Sequence, residues 1–243
     1  MSKTARTELP DCWAQFYDVL DAGVDRVILF GPPGTGKTYA GLHVNVGKGG
    51  AHRLVCSEEM TAADVTGHWM PSHSNAWAWH DGAVVKAWDG DGQIGGRVVA
   101  DEIDKASGDV LSLLLAMFDT VDSATWEHPA TNRTIVPRHG FSVVMTTNLE
   151  NMRDLPTALR DRFPVQIRIN TPHPDALLVL SPDLRAAAAA SADADPKRRF
   201  SIRTFMAFDK LRHEMGVERA AKLLFDKVAG DILDSIKVAE VAR

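Results

Sequence analysis

The sequence predicts an α/β protein: a parallel five-stranded sheet flanked by helices, with a small C-terminal helical lid. Three observations carry this expectation. Five short apolar runs alternate with helical segments over residues 1–170, a glycine-rich stretch "GPPGTGKT" joins the first run to a helix, and after Ile169 the pattern turns to "TPHPD", an alanine run and amphipathic helices. Strands separated by helices pair in parallel and are covered on both faces.

A helix is expected over residues 12–20, ahead of the first strand at 26–30, "RVILF". The second strand is placed at 53–56. The third, 97–100, is short and apolar and is bounded by Gly95-Gly96 and Asp101. Residues 110–118 read as an almost wholly apolar helix. The fourth strand is expected at 141–146 and the fifth at 165–169, with Pro164 tolerated where a strand begins. Beyond it, amphipathic helices are expected at 202–215 and 217–228, punctuated by Pro196 and Gly216. The stretch "LRAAAAASADADP" fits either a helix end or a loop. The chain thus divides into an α/β domain, residues 1–170, and a helical lid, residues 171–243. Only 25 residues precede the first strand, so a substrate-recognition module is expected to be missing or to belong to another chain.

Composition narrows the class. The 243 residues are 45% hydrophobic and 24% charged, enough for a sizeable core. No apolar run reaches the roughly 18 residues of a membrane helix, and "MSKTARTELPD" lacks a secretory apolar stretch, so a cytoplasmic protein with no membrane partner is expected. Two cysteines, Cys12 and Cys56, suit a reducing compartment. There is no C-x-x-C pair and no H-E-x-x-H helix, so zinc has no support and Mg²⁺ is the expected metal. A net charge of −5 argues against an overall nucleic-acid footprint. Two local basic patches remain, Lys197-Arg198-Arg199 with Arg203, and Arg133, Arg138 and His139; short charge runs of this kind are more often solvated faces.

The loop carries the first chemistry. Gly31, Gly36, Lys37 and Thr38 have the G-x-x-x-x-G-K-[ST] spacing between an apolar strand and a helix start, the P-loop NTPase arrangement. Bare glycine backbone lets N–H groups close on phosphate oxygens, Lys37 reaches the β and γ phosphates, and the Thr38 hydroxyl can ligate Mg²⁺. Gly31, Pro32, Pro33, Gly34, Thr35, Gly36, Lys37, Thr38 and Tyr39 are the candidate ATP contacts. Ligands of such sheets sit at the carboxyl ends of the strands, which puts residues 31–38, Asp101-Glu102 and Asn148 along one rim.

"VVADEIDKA" ends an apolar strand on Asp101, placed to hold Mg²⁺ opposite Thr38. Glu102 is expected to point differently because side chains alternate at a strand end, leaving it free to act as general base on a water. Asn148, closing "VVMTTN", can hydrogen-bond an attacking water and a phosphate oxygen. In "LPTALRDRFP", Arg160 and Arg162 diverge by about 200° on a helix, so only one faces a given ligand. Arg203 follows the N-cap candidate Ser201. A cation in a first helical turn costs up to about 1 kcal/mol unless an anion is near, and a γ phosphate would supply one.

Taken in order, "GPPGTGKT", "TAADVTGHWMP", "WHDGAVVKAW", "RVVADEIDKAS", "FSVVMTTN" and "LPTALRDRF" resemble an AAA+ ATPase, in particular its MoxR-like branch, related to dynein-type modules. The resemblance covers most of residues 24–170. It implies Lys37 and Thr38 as Walker A, Asp101 and Glu102 as Walker B, Asn148 as sensor 1, Arg162 as arginine finger and Arg203, in "RFSIRTF", as sensor 2. It also implies β-hairpin inserts near 67–82 and 121–140. Trp77 and Trp79 alternate and so share one face of the first. Packing of both rings as core is expected, with a substrate-gripping tip as the alternative.

No guanine-reading N-K-x-D and no LSGGQ-like signature is present, and some 70 residues after the sheet are too few for a helicase's second domain. The resemblance implies a ring-forming, hexameric ATPase that remodels a protein partner, with a von Willebrand A-type adaptor as candidate. A nucleic-acid motor or loader acting on DNA, and a slow ATP-dependent binding switch, are the alternatives.

Overall fold

The computed structural model describes residues 9–72, 76–106, 108–192, 194 and 199–241. Pro196, Lys197 and Arg198, invoked above, lie outside them. Helix α1 (Asp11–Asp21) leads into β1 (Arg26–Phe30), then α2 (Lys37–His43) and β2 (Ala51–Val55). Next come α3 (Ala62–Thr66), β3 (Gly67–Pro71), β4 (Trp77–Asp81), α4 (Ala83–Asp89) and β5 (Arg97–Asp101). Helix α5 (Gly108–Met117), the short strands β6 (Trp126–His128) and β7 (Arg133–Ile135), β8 (Ser142–Thr147), α6 (Thr157–Arg162) and β9 (Val165–Arg168) follow. The rest is helical: α7 (Pro174–Leu177), α8 (Pro182–Ala192), α9 (Ile202–Met215), α10 (Val217–Phe225) and α11 (Ala229–Val241).

Five strands form one parallel sheet in the order β2-β5-β8-β1-β9. Central strands of parallel sheets are covered on both faces and read as continuous apolar runs. That is what β1, β5 and β8 show: "RVILF", "RVVAD" and "SVVMTT" are almost wholly buried. Edge strand β2 instead exposes Arg53 and Val55 around buried Leu54, and its mixed pattern is why the apolar signal sat at 53–56 while pairing starts at Ala51. The chain leaves β1 toward the β2 edge, works back through β5 and β8, and ends on the far side of β1. The order therefore reverses beside β1, the switch point where such sheets bind ligands.

The chain forms two compact units. One comprises Gln15–Gly31 and Thr38–Arg168; the other comprises the described residues of Met1–Ala14, Pro32–Lys37 and those from Ile169 onward. The first has a core in which Trp88, Phe118, Phe141 and Phe163 are fully buried, each side chain contributing roughly 2–3 kcal/mol. The second packs Phe205, Phe208 and Phe225 against α8. The alanine run is that helix. Ala187 and Ala188 are buried, and a stretch with no apolar periodicity becomes helical through alanine's propensity and its neighbours' packing.

Two antiparallel hairpins, β3–β4 and β6–β7, interrupt the first unit. They meet side by side: Trp79 lies against Trp69, Trp126 and His128 at ring-centroid distances of 5.7, 6.1 and 5.7 Å. Asp81 accepts hydrogen bonds from Trp79 Nε1 (2.8 Å) and His128 Nε2 (3.1 Å). Trp79 is thus half-buried between the two hairpins, not part of the core, and Trp77, on the same face two residues back, is 65% exposed. The expectation that both rings are core fails, for Trp77 because the opposing strand offers it only Pro71.

Candidate nucleotide-binding and hydrolysis site

The glycine-rich loop belongs with the helices that follow the sheet. Gly34 (φ +76°) and Gly36 (φ +96°) take left-handed conformations, which turn successive N–H groups into a concave anion cradle. Thr35 Oγ1 and the Lys37 ammonium both donate to the Pro32 carbonyl (3.1 and 2.7 Å), and Lys37 is buried. The loop is tied to what surrounds it. His173 N–H donates to the Thr35 carbonyl (2.8 Å), and a Cβ on Gly34 would come within 2.6 Å of Ser201 Cβ. Gly34 is therefore required for close approach as well as for its φ. Ser201 caps α9, its hydroxyl accepting from Thr204 N–H, and Arg203 stands exposed in that helix's first turn. His173 is itself held edge-on to buried Trp13 (4.8 Å), and burial lowers its pKa.

In the sheet unit, α2 carries Thr38. Thr38 Oγ1 donates to Asp101 Oδ1 (2.7 Å), Thr146 Oγ1 donates to the same oxygen, and Arg53 Nε reaches Oδ2 (3.1 Å). Burial alone would raise the Asp101 pKa; the hydrogen bonds from Thr146, Thr38 and Arg53, with the Arg53 charge, hold it below the ordinary carboxylate value. A buried, ionised carboxylate beside a threonine hydroxyl suits a hard cation that keeps most of its water and takes further oxygens from phosphate. No group of three or more His, Cys, Asp or Glu that could hold a metal occurs among the described residues. A threonine hydroxyl and an ionised carboxylate, as in Thr38 and Asp101, fit Mg²⁺ arriving with a nucleotide.

Glu102 departs from Asp101 for a different reason than strand alternation. It lies just past β5 at φ +57°, ψ +46°, a left-handed conformation that strains a residue with a Cβ. This turn throws its side chain to the surface, where Asn148 Nδ2 donates to Oε1 at 3.4 Å. Asp104 is engaged elsewhere, accepting from Thr147 Oγ1 (2.6 Å) and pairing with Lys105 (3.4 Å). The nearby thiol of Cys56 is pushed up to about 12, first by burial and then by the charges of Asp101, Asp104 and Glu102. The thiol stays protonated, which removes it as a nucleophile.

The two arginines of α6 separate clearly. Arg160 is absorbed into its own turn, donating to the Leu155 carbonyl and Thr157 Oγ1, both at 3.1 Å. Arg162, the last residue of the helix, pairs through Nε with Asp119 at 3.6 Å. Tyr39 lies on the outer side of α2, 41% exposed, stacked on His43 (4.3 Å).

The structure thus gathers Thr38, Asp101, Glu102 and Asn148 in one unit, and the cradle of Pro32–Lys37 with Ser201 and Arg203 in the other. Arg53, Thr146, His173 and Ser201's approach to Gly34 escaped sequence reasoning. Arg53 offered one signal, a charge inside an otherwise strand-like run at the edge.

An α/β sheet with this strand order and a glycine-rich loop ahead of α2 defines a P-loop nucleotide-binding protein. A family model, the AAA domain of the dynein-related subfamily, matches residues 26–163. The chain belongs to that family, within the AAA+ ATPases. No curated protein matches it. Among solved structures it is similar to a protein of Cytophaga hutchinsonii provisionally described as an ATPase, at 20% identity and a TM-score of 0.47. That similarity covers 68% of this chain and 47% of the other, so the chain spans about half that protein's length.

Proposed function

We propose that this ATPase works as a ring, hexameric in the closed form, and couples ATP hydrolysis to remodelling of a protein partner. Lys37 and the backbone of residues 31–36 bind the phosphates. Thr38 and Asp101 would hold Mg²⁺, which would supply charge neutralisation to the phosphates. Glu102 accepts the proton of the attacking water, and Asn148, hydrogen-bonded to it, orients that carboxylate and the water. Arg162 neutralises charge on the departing γ phosphate of a neighbouring subunit, and Arg203 senses the γ phosphate from α9. A von Willebrand A-type adaptor fits as partner. With no helix among the described residues long and apolar enough to cross a membrane, a cytoplasmic setting fits the reading.

The observation that carries a protein target is the β3–β4 hairpin. Trp69, Met70 and Trp77 are 45%, 42% and 65% exposed, and residues 67–81 contain no Lys or Arg. Single-stranded nucleic acid is bound by aromatics set in a basic groove; aromatics without cations suit unfolded polypeptide. The second basic patch is also partly spent, since Arg138 pairs with Asp89 at 2.8 Å. Casein, as an unfolded polypeptide, should raise the ATPase rate, and Trp77→Ala should lose that stimulation while its basal rate stays unchanged. Stimulation by single-stranded DNA instead, falling steeply with salt, would reverse the assignment.

A further inference from the structure

We propose that Asp119 is a positioning residue for the hydrolysis reaction: it holds the Arg162 guanidinium by its Nε edge, so that the two terminal amino groups face outward as a fork for phosphate. The inference rests on the reading of Arg162 as the finger and goes a step further, to what aims it. Among the described residues, no hydrogen bond takes Nη1 or Nη2 of Arg162; its shortest contact with Asp119 is Nε to Oδ2, 3.6 Å. A planar guanidinium held along one edge keeps a two-donor edge whose geometry matches two phosphate oxygens.

Asp119 is suited to this because it is fixed from three sides. Its Oδ1 accepts from Thr120 N–H (2.8 Å), which orients the carboxylate and leaves Oδ2 for Arg162. Its carbonyl accepts from Arg26 Nη2 (2.7 Å), and the preceding Phe118 carbonyl accepts from Arg26 Nε (2.8 Å). Arg26 is buried at the start of β1, its guanidinium over the Phe141 ring. Beside the ion pair, Phe118 and Phe163 meet edge to face at 6.4 Å, docking the end of α6 on the end of α5. An arginine with three or four free torsions is thereby tied to the start of the central sheet strand that precedes the phosphate loop. The pair itself is weak, because both side chains are about one-third exposed. Its value lies in orientation: a finger already aimed loses less rotamer entropy when phosphate arrives.

Mixed rings test this. Arg162→Ala supplies an intact ATP site without a finger, and Lys37→Ala supplies a finger without a site, so their mixture should hydrolyse ATP only at mixed interfaces. A Lys37→Ala donor also carrying Asp119→Asn keeps the bond from Thr120 but loses the charge on Oδ2. It should lower the mixture's kcat by at least about tenfold, the scale on which supporting partners of a site act, while KM for ATP stays the same. Asp119→Glu in the donor should recover most of the rate. If Arg162→Ala with Lys37→Ala shows no activity although native mass spectrometry finds mixed rings, the finger reading fails and this inference with it. If that mixture is active and the Asp119→Asn donor matches it, the Asp119 inference alone is overturned. A lower rate accompanied by fewer mixed rings, or one that Asp119→Glu does not recover, also overturns it, making Asp119 a structural contact.

Discussion

Glu102 is the residue at which backbone and chemistry meet. A left-handed conformation on a residue with a Cβ costs roughly 1–2 kcal/mol, and proteins keep such strain where a side chain has to be aimed. Here the turn sends Glu102 outward to Asn148 while Asp101, one residue earlier, stays buried among Thr38, Thr146 and Arg53. In the proposed function these two adjacent carboxylates take two roles, one a cation ligand and one a base. Glu102→Gln should therefore bind ATP with undiminished affinity yet turn over at least about a hundredfold more slowly, the scale of general-base loss. Near-normal turnover, read in a coupled phosphate-release assay, would remove Glu102 as the base. The acid pair was legible in the sequence because an apolar run ends on it. Arg53 and Thr146 were not, because their approach to Asp101 depends on strand pairing between residues 45 or more positions apart.

Helix α2 shows the same division among the elements. Its start was readable from the loop spacing, but what holds it down was not. Buried Arg97, first residue of β5, donates to the carbonyls of Gly41 (3.0 Å), Val44 (2.7 Å) and Asn45 (3.1 Å), closing the carboxyl end of α2 with a cation where the helix dipole favours one. Burial lowers its pKa to about 10, still charged at neutral pH. Arg26 does the corresponding work after α5 from the start of β1. An arginine opening an apolar run, as in "RVILF" and "RVVAD", was the available signal, and it looked like an ordinary strand boundary. The helix also lies very close to the sheet. A Cβ on Gly41 would meet Val99 at 3.1 Å and Val144 at 3.3 Å, both in fully packed strands with little room to yield. Alanine gains about 1 kcal/mol of helix propensity there, but overpacking costs about 1–3 kcal/mol. Gly41→Ala should thus lower the unfolding free energy by up to about 2 kcal/mol and weaken nucleotide binding, since lifting α2 draws Thr38 from Asp101. A urea midpoint at or above wild type, with unchanged ATP affinity, would refute the tight approach.

For the molecule as a whole, the sequence displayed the sheet because parallel strands advertise themselves as apolar runs, and it hid what depends on packing between distant segments. The alanine helix, the meeting of the hairpins through Trp79, Asp81 and His128, and the pairing of Arg162 with Asp119 are all of that second kind. The same reasoning extends past the single chain. Within its own unit Arg162 pairs with Asp119. If its target belongs to a neighbouring copy, catalysis needs assembly. The specific ATPase activity should then rise with protein concentration and reach a plateau where light scattering reports rings, falling away on dilution to monomer. An arginine finger contributes about 10³ to 10⁵ in rate. Arg162→Ala should therefore sit near the monomer's activity at every concentration, including those at which it still assembles, and Arg160→Ala should follow the wild-type curve. A specific activity that stays constant down to monomer would show that one chain completes its own site, and would end the ring reading.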